Sequence, residues 1–578
     1  MKRFVLVVLA GLTPGLLMAQ GTTAPTEKPI EIVPVPETKL PLKHTPEKTK
    51  ADITVKDLMT RLYIFADDSM QGREAGTIGN VRGTDYIASE VKRFGLKPAG
   101  DNGTFFQTLP FKTRTIDPAS SFTVSGAPLG WGSEWASNSS VSVTVPEAPV
   151  VWGGSLGDTT NQISADAAKD KVVVFMLPTG NGGRRATRSA SRSAPTAAAV
   201  VVVVPDQFLG FFSRPGTFVD DPSNAPPMAP KPLVLVNAAA AAKMFDGNLD
   251  SLAAGTAGKP ATLDLKVTIA PVAFPARNVV AILPGSDPKL AGEYVAIGGH
   301  NDHIGFNNRP VDHDSIRIYN HIVRPGGAED GGKQATPEEQ VKINAMLADW
   351  RTRHPNSMRQ DSISNGADDD GTGSVSVLEV AEKLSAMKTK PKRSIIFVWH
   401  VGEEKGLLGS AYFTDHPTVP RDSIVAQLNM DMVGRGDAWD VTGKSKEGEV
   451  LRGNPNYVQI VGSRRLSTEL GDLIEQVNKD GKHNLAFDYS MDANAHPMNI
   501  YCRSDHYEYA RYGIPIAFFT TGGHSDYHQV TDEPQYIDYD RMMRVDNLVA
   551  DVAVHVANLD HRVVVDKPKP DPKGSCQQ

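Results

Sequence analysis

Four apolar runs in the second half of the chain constrain its fold more than any other feature. They read "YVAIGG", "SIIFVW", "IVAQLNM" and "IPIAFFT", and helical patterns separate them. One such pattern, "GSVSVLEVAEKLSAM", places Val377, Leu378, Ala381 and Leu384 on one face. Continuous apolar strands that alternate with helices are typical of a parallel sheet covered on both faces. We therefore predict an α/β fold, a three-layer α/β/α sandwich with a mostly parallel central sheet.

Residues 145–265 have a different composition. Short β-rich runs such as "KVVVFMLP" and "KPLVLVN" alternate with loops rich in Gly, Pro and Ser. This pattern predicts an inserted β-rich domain. Its basic loop contains Arg184, Arg185, Arg188 and Arg192. We interpret the loop as solvated rather than as an anion-binding patch, because no aromatic residues interleave with the arginines.

Charge and the N-terminus limit the class of protein. The chain has 578 residues, with 60 basic and 67 acidic side chains and a formal net charge of −7. This acidic surplus argues against a nucleic-acid partner. Residues 1–19 have the basic start and short apolar stretch of a signal peptide. We therefore expect an exported protein, periplasmic or secreted, without a stable membrane anchor.

The other boundaries follow from composition and patterning. Residues 20–51 are rich in Pro, Thr and Lys and are predicted to be a linker. Residues 52–144 and 266–563 are predicted to form the main domain around the β-rich insert. The long connection 306–364 is treated as an insertion, with a helix that Thr336 and Glu339 begin through a capping box. Residues 564–578 are predicted to be a flexible tail, and the sequence leaves open whether Cys502 and Cys576 pair.

Polar side chains follow each of the four apolar runs. They are His300, Asp302, Glu403, Glu404, Asp431, His528 and Asp532, and the loop before the helical pattern adds Asp368, Asp369 and Asp370. In open α/β sheets the carboxyl ends of the strands form the ligand crevice. Imidazoles and carboxylates gathered there without Lys or Arg require cations to balance their charge. This donor set suits zinc and predicts a site for two ions.

Each residue type also has an ordinary structural explanation. A histidine at a strand end is often only polar, three aspartates in a row often form a turn or a helix cap, and paired glutamates are common on helices. The joint pattern favours the metal site, because ligand-type residues occur at five strand ends, or in loops beside them, within one domain.

The chain resembles the di-zinc exopeptidase family that includes secreted bacterial leucyl aminopeptidases and aminopeptidase Y. The motifs "GGHNDHIG", "GADDDGTG", "HVGEEKGLLGS", "LNMDMVG" and "SDYHQVTDEP" carry the resemblance, in the family's order. The resemblance implies a fold of the zinc-exopeptidase type. It also implies that the β-rich insert is similar to the protease-associated (PA) domain often found in this family.

Roles for single residues are implied by the resemblance. His300 and Asp431 would hold one Zn²⁺, Glu404 and His528 the other, and Asp369 would bridge both. Glu403 would be the general base, Asp302 would orient His300, and Asp532 would act in the same way near His528. Tyr501 would steady the tetrahedral intermediate. His303, His506 and His524 match no ligand position, so we interpret each as a pocket or hydrogen-bonding residue.

The expected activity is hydrolysis of N-terminal residues from peptides with a free N-terminus by a zinc-dependent aminopeptidase. Three alternatives stay open. A dipeptidase or carboxypeptidase of the same fold would need a basic group for the substrate carboxylate, and Arg503 and Arg511 are the candidates. A glutaminyl cyclase would keep much of the ligand set. A non-catalytic relative, like the transferrin receptor, would be expected to lack ligands, whereas all are present in this sequence.

Overall fold

The computed structural model of the chain describes residues 40–158, 160–177, 190, 193–224, 232–436 and 454–578. The predicted signal peptide, residues 20–39 of the predicted linker and the four arginines of the basic loop lie outside the described residues. Within the described part of the chain, no helix is both long enough and apolar enough to cross a membrane.

The first elements of the chain are two helices and three strands. Up to residue 116 they are α1 Val55–Phe65, α2 Ile78–Arg93, β1 Lys97–Pro98, β2 Phe106–Leu109 and β3 Phe111–Ile116. The next are β4 Ser121–Val124, β5 Ala127–Pro128, β6 Trp135–Ser137, β7 Val143–Ser155, α3 Ala165–Ala168, β8 Val172–Met176, β9 Ala199–Val203, α4 Asp206–Phe212, β10 Gly216–Val219, β11 Leu233–Val236, α5 Ala238–Met244, β12 Ala257–Leu265 and β13 Val267–Pro271.

The last part contains the predicted strands and the long connection. Its elements are β14 Ala276–Leu283, β15 Tyr294–His300, β16 Phe306–Asp312, α6 His313–Val323, α7 Pro337–Arg353, β17 Gln360–Ile363, α8 Gly373–Ala386, β18 Ser394–His400, α9 Leu408–Asp415, β19 Ile424–Met430, β20 Tyr457–Val461, α10 Thr468–Asp480, β21 Ala486–Asp488, α11 His506–Ala510, β22 Ile516–Thr520 and α12 Tyr539–Asn558.

A nine-stranded sheet forms the centre of the main domain. Its strands follow the order β1-β14-β18-β15-β19-β22-β20-β21, and β2 also pairs with β14. The four central strands, β18, β15, β19 and β22, are parallel, whereas β14 and β20 join them antiparallel. The predicted α/β fold is confirmed, and the sheet is mixed because antiparallel strands are added at both sides of the parallel centre.

Helices cover both faces of this sheet. Successive side chains of a strand point to opposite faces, so in β18 Phe397 and Trp399 join one core while Ile396 and Val398 join the other. The first core packs against α1, α2, α8 and α12, and the second contains residues of α9 and α11. This two-sided burial explains why the central strands are apolar throughout.

A second sheet lies earlier in the chain. Its eight strands follow the order β5-β4-β12-β7-β8-β9-β11-β6. The sheet begins at Ser121, earlier than the boundary at residue 145 that composition indicated. The first three strands have only four, two and three residues. Segments this short carry too little alternation to be distinguished from loops in the sequence.

Both chain ends that the structure describes pack against the main domain. The hydroxyl of Thr49, in the predicted linker, donates a hydrogen bond of 2.7 Å to Glu382 in α8. At the other end, Cys576 forms a disulfide with Cys502. The backbone N–H of Tyr501 donates to the side-chain oxygen of Gln578 at 3.0 Å. The predicted flexible tail is therefore joined to the segment around residue 500.

Loss of this disulfide is expected to destabilise the folded chain. The two cysteines are 74 residues apart, and closing a loop of that length removes about 4 kcal/mol of chain entropy from the unfolded state. Replacing both Cys502 and Cys576 with Ser should therefore lower the free energy of unfolding by about 2–4 kcal/mol. Urea unfolding of this variant beside the oxidised and reduced wild type measures it, and an unchanged midpoint would contradict the expectation.

Candidate metal centre

The carboxyl ends of the four central strands bring the predicted residues together. His300 ends β15, Glu403 and Glu404 follow β18, Asp431 follows β19, and His528 lies in the loop after β22. These strands are parallel neighbours, so their carboxyl ends lie at one edge of the sheet. Asp369 reaches the same place from the turn that precedes α8, a turn whose residues are all buried.

Three side chains form what we call the His300 group: His300, Asp369 and Asp431. The His300 Nε2 atom lies 3.1 Å from Asp369 Oδ1 and 3.8 Å from Asp431 Oδ1. All three side chains are buried. The family resemblance implied that His300 and Asp431 hold one ion and that Asp369 bridges it to the other.

Four side chains form what we call the His303 group: His303, Asp369, Glu404 and His528. His528 Nε2 lies 3.0 Å from Asp369 Oδ2 and 2.9 Å from Glu404 Oε2. His303 Nδ1 lies 2.8 Å from Glu404 Oε1 and 3.8 Å from Asp369 Oδ2. Asp369 thus gives one carboxylate oxygen to each group, which is the placement expected of a bridging ligand.

The residues of the two groups fit divalent metal ions. In the His303 group, Asp369 Oδ2, Glu404 Oε1, His303 Nδ1 and His528 Nε2 are all buried and have no hydrogen-bond partner among the described residues. Unpaired buried polar atoms are costly. A cation between them would satisfy all of them together. Imidazole and carboxylate donors of this kind suit zinc.

The two adjacent glutamates have pKa values that move in opposite directions. Burial raises the pKa of Glu403 well above its ordinary value, and Asp431 and Glu404 add to this effect while His300 opposes it. Burial also acts on Glu404, but the nearby His528 lowers the pKa of that carboxyl to about 2. Neighbouring titratable groups whose environments separate their pKa values are candidates for different acid–base roles.

Glu403 lies beside the His300 group. Its Oε2 atom is 3.9 Å from His300 Nε2, and its backbone N–H donates to Asp302 Oδ1 at 3.2 Å. Asp302 in turn lies behind His300: the backbone carbonyl of Asp302 is 3.0 Å from His300 Nδ1, and its Oδ1 is 3.6 Å away. Asp302 therefore contacts both the imidazole it was expected to orient and the backbone of Glu403.

Asp532 has a different neighbour from the one expected. Its carboxylate accepts hydrogen bonds from the backbone N–H groups of Asp368 and Asp369, at 2.9 and 3.0 Å. It thereby holds the turn that carries the bridging Asp369. Asp532 is only four residues after His528 in the sequence, but its side chain points toward the turn before α8.

Tyr501 is not brought to the metal centre. Its ring lies under the Arg465 guanidinium, 4.6 Å from it, and contacts Tyr507 edge to face in the core that contains residues of α9 and α11. Tyr527 lies at the centre instead, with its ring stacked on that of His528 at 4.0 Å. Burial raises the pKa of Tyr527 well above its ordinary value, and Asp369 and Glu404 add to this. The signal that sequence reasoning missed is the position of Tyr527 directly before His528.

The remaining histidines near the motifs and the two candidate arginines contact polar groups of the chain. His524 Nδ1 lies 3.4 Å from Arg435 Nη1, and His506 Nε2 lies 2.8 Å from the Tyr501 carbonyl, so both belong to hydrogen-bonding networks. Arg511 pairs with Asp415 and Glu508 on α9 and α11. Arg503 pairs with Glu329 of the insertion, and Glu403 is among the groups that raise its pKa.

The insertion packs against the loop that carries His528. The capping box of Thr336 and Glu339 is confirmed at the start of α7. The backbone N–H of Ala328 donates to the Tyr527 carbonyl at 3.2 Å, and His313 Nε2 lies 2.8 Å from Glu533 Oε2. The insertion therefore supports one side of the metal centre.

Asp431 has a support that sequence reasoning did not identify. The hydroxyl of Ser504 donates to Asp431 Oδ2 at 2.6 Å, and it accepts from the Asn429 amide at 3.0 Å. Asn429 lies in β19 and Asp431 directly follows the end of that strand, so the two polar residues are two positions apart at its carboxyl end. That spacing of polar residues at the end of an apolar strand is the sequence signal for the support.

Removing this support should weaken metal binding at the His300 group. Ser504→Ala leaves one oxygen of Asp431 without its donor, and loss of such a hydrogen bond to a ligand typically costs 10–100-fold in metal affinity. Calorimetric titration with Zn²⁺ should show the loss for one of the two ions. Ser89→Ala, an exposed hydroxyl change on α2, is the matched control, and equal affinities in both variants would contradict the assignment.

Part of the chain is similar in sequence to known peptidases. Residues 349–553 match the sequence model of peptidase family M28. Aminopeptidase Y of Saccharomyces cerevisiae is 25% identical over 236 residues, which are 37% of this chain and 38% of that protein. Leucine aminopeptidase 1 of Paracoccidioides brasiliensis is 29% identical over 188 residues, 31% of this chain and 43% of that protein. The chain thus spans less than half the length of these curated relatives.

A solved structure shares the fold. The aminopeptidase from Aneurinibacillus sp. strain AM-1 superposes with a TM-score of 0.50 at 16% sequence identity. The superposition covers 90% of this chain and 97% of that one. At this identity the likeness shows the fold alone.

Proposed function

We propose that this chain, whose residues 349–553 match the sequence model of peptidase family M28, is a zinc-dependent aminopeptidase. The observation that carries the proposal is the pair of ligand groups that share Asp369, with Glu403 beside them as a carboxylate outside both groups. The comparisons support peptidase chemistry for the domain. The ligand assignment and the residue roles are inferred from the distances between these side chains.

The two groups would hold two zinc ions. His300, Asp369 and Asp431 would hold one, and Asp369, Glu404 and His528 the other. Zinc bound there would lower the pKa of a water molecule and polarise the carbonyl of the scissile bond. All other steps fall to side chains of the chain itself.

Glu403 is the proton carrier. Its side chain lies 3.9 Å from the nearest ligand atom of His300 and outside both ligand groups. A carboxylate in that place can take the proton of the attacking water and deliver it to the leaving amine.

The carboxylates of the centre also select the substrate. A free α-amino group would be attracted by the carboxylates of Asp431 and Glu403, which lie 3.8 and 3.9 Å from His300 Nε2. A blocked N-terminus would bring no positive charge to this place. The Tyr527 phenol, whose ring is stacked on His528, would donate a hydrogen bond to the oxygen that becomes negative during attack.

One observation favours the dipeptidase alternative. The side chain of Arg503 is 34% exposed. Glu403 and Tyr527 are among the groups that interact electrostatically with its guanidinium. A guanidinium at this place could bind the carboxylate of a short substrate. It is already paired with Glu329, so we place a general aminopeptidase first.

A panel of substrates tests the proposal. Leucyl p-nitroanilide, its N-acetylated form, the dipeptide leucyl-glycine and the amide of that dipeptide should be compared at equal concentration. The proposal predicts cleavage of every substrate with a free N-terminus and none of the acetylated form. Cleavage of leucyl-glycine alone would establish the dipeptidase alternative, and cleavage of the acetylated form would contradict both.

We also propose that the mature protein is exported after removal of residues 1–19. The disulfide between Cys502 and Cys576 supports this, because structural disulfides persist in oxidising compartments and are rare in the cytosol. N-terminal sequencing of the protein recovered from the periplasm and the medium tests it. A mature chain that still begins at Met1 and stays in the cytosol would contradict export.

A further inference from the structure

His303 is the residue of the metal centre that no ligand pattern in the sequence identified. Its side chain is completely buried, and both ring nitrogens lack a hydrogen-bond partner within the described residues. The histidines of the surrounding networks differ in this respect, since His506 contacts the Tyr501 carbonyl through Nε2. A fully buried imidazole whose nitrogens make no hydrogen bond is costly, and a cationic partner at one of them would offset part of that cost.

The position of His303 Nδ1 shows where such a partner would lie. This atom is 2.8 Å from Glu404 Oε1, but the contact does not have hydrogen-bond geometry, and both atoms remain unpaired. The ring also lies at a steep angle to that of His528, with the ring centres 5.5 Å apart. One ligand atom from each of His303, Glu404, Asp369 and His528 lies within 4.8 Å of the others.

The backbone holds the His303 ring in place. Gly366, in the left-handed region with φ 56°, packs directly against the ring, and a Cβ there would lie 2.5 Å from its Cγ. The backbone N–H of His303 donates to the Arg73 carbonyl at 3.3 Å. Because Gly366 begins the turn that carries Asp369, the ring and the bridging carboxylate are positioned by the same segment. This is the fixed placement expected of a ligand.

We propose that His303 is a direct metal ligand through Nδ1. The His303 group then supplies four protein ligands, two imidazoles and two carboxylates, whereas the His300 group supplies three. Zinc sites with four protein ligands are typically closed and structural, and sites with three keep a position for water. The two ions are therefore unequal: the His303 group binds the first and tighter ion, and the His300 group binds the exchangeable one.

This inference rests on the proposed function, since it assumes that the centre takes metal. It adds an assignment that the function does not require: a peptidase with five ligands would work without His303. Its consequence is independent of turnover, because it concerns the number of coordinated imidazoles and the order in which two ions are bound.

Proton NMR of the Co²⁺-loaded protein in water tests the assignment. Each imidazole bound to Co²⁺ that retains an N–H gives a strongly shifted exchangeable signal. The fully loaded wild type should show three, from His300, His303 and His528, and the first equivalent of Co²⁺ should produce only the latter two. His303→Gln should lose one signal and bind its first ion at least about 100-fold more weakly.

The outcomes separate the two claims. Two ions with only two shifted signals would overturn the assignment of His303 and leave the proposed function intact. A protein that binds neither Co²⁺ nor Zn²⁺ would overturn both. The number of shifted signals in the wild type tests the assignment of His303 even if His303→Gln does not fold. His524→Gln, which removes a buried imidazole outside both groups, is the control and should keep all three signals.

Discussion

Replacement of Glu403 with Ala is expected to abolish turnover while both ions stay bound. The carboxylate lies outside the two ligand groups and 3.9 Å from His300 Nε2, so its loss removes the proton carrier without removing a ligand. Loss of a general base typically lowers the rate by 10²–10⁴-fold. Initial rates on leucyl p-nitroanilide, together with the metal content of the same preparation, measure both parts of the expectation.

The neighbouring residue gives the matched contrast. Glu404 belongs to the His303 group and lies 2.9 Å from His528 Nε2, so Glu404→Ala should lose metal and turnover together. Glu147→Ala, which removes an exposed carboxylate in β7, should change neither. Near-normal turnover by Glu403→Ala would contradict the role of this residue, and full metal content in Glu404→Ala would contradict its assignment as a ligand.

Replacement of Asp369 with Ala is expected to remove both ions. Asp369 is the residue that the two ligand groups share, with Oδ1 facing His300 and Oδ2 facing His528. Its loss also leaves buried imidazoles and carboxylates without their shared neighbour. Metal analysis after dialysis should therefore find far less than one ion per chain, and turnover should fall to background.

A matched variant separates this effect from the loss of any aspartate. Asp250→Ala changes an exposed aspartate in the region of the second sheet, more than one hundred residues from Asp369 along the chain. This variant should keep two ions and full activity. Circular dichroism of both variants verifies that they are folded. If Asp369→Ala kept one tightly bound ion, the two groups would not depend on a shared carboxylate.

The meeting of the ligand residues at the strand ends was predictable from the sequence because of a simple geometric rule. Parallel strands place their carboxyl ends at one edge, so His300, Asp431 and the residues after β18 had to meet once the strands were identified. The apolar runs identified four adjacent parallel strands, and these are the central four of the sheet. The α/β class followed from the same runs.

Side-chain direction within loops was not predictable in this way. Tyr501 and Tyr527 are both close to a motif, but only Tyr527 stacks on His528, while Tyr501 lies in the core under Arg465. His303 is three residues after His300 and shares no ligand spacing with it. Its place in the metal centre depends on the close approach of Gly366, a contact between segments more than sixty residues apart along the chain.

Long-range contacts also explain why the two ends of the described chain are packed although their composition predicts flexible segments. The composition of residues 40–50 and of the last fifteen residues resembles that of flexible segments. Thr49 nevertheless bonds to Glu382, and Cys576 is joined to Cys502. Composition reports whether a segment can form a core of its own, and it does not report whether the segment packs on a core formed by others.

Removal and return of metal tests the central claim most directly. The wild-type protein is stripped with a chelator, dialysed, and titrated with Zn²⁺ while hydrolysis of leucyl p-nitroanilide is followed. The account predicts that hydrolysis falls to background in the metal-free protein and is restored fully when two ions are bound per chain. Hydrolysis that continues undiminished in protein shown to contain no metal would contradict it.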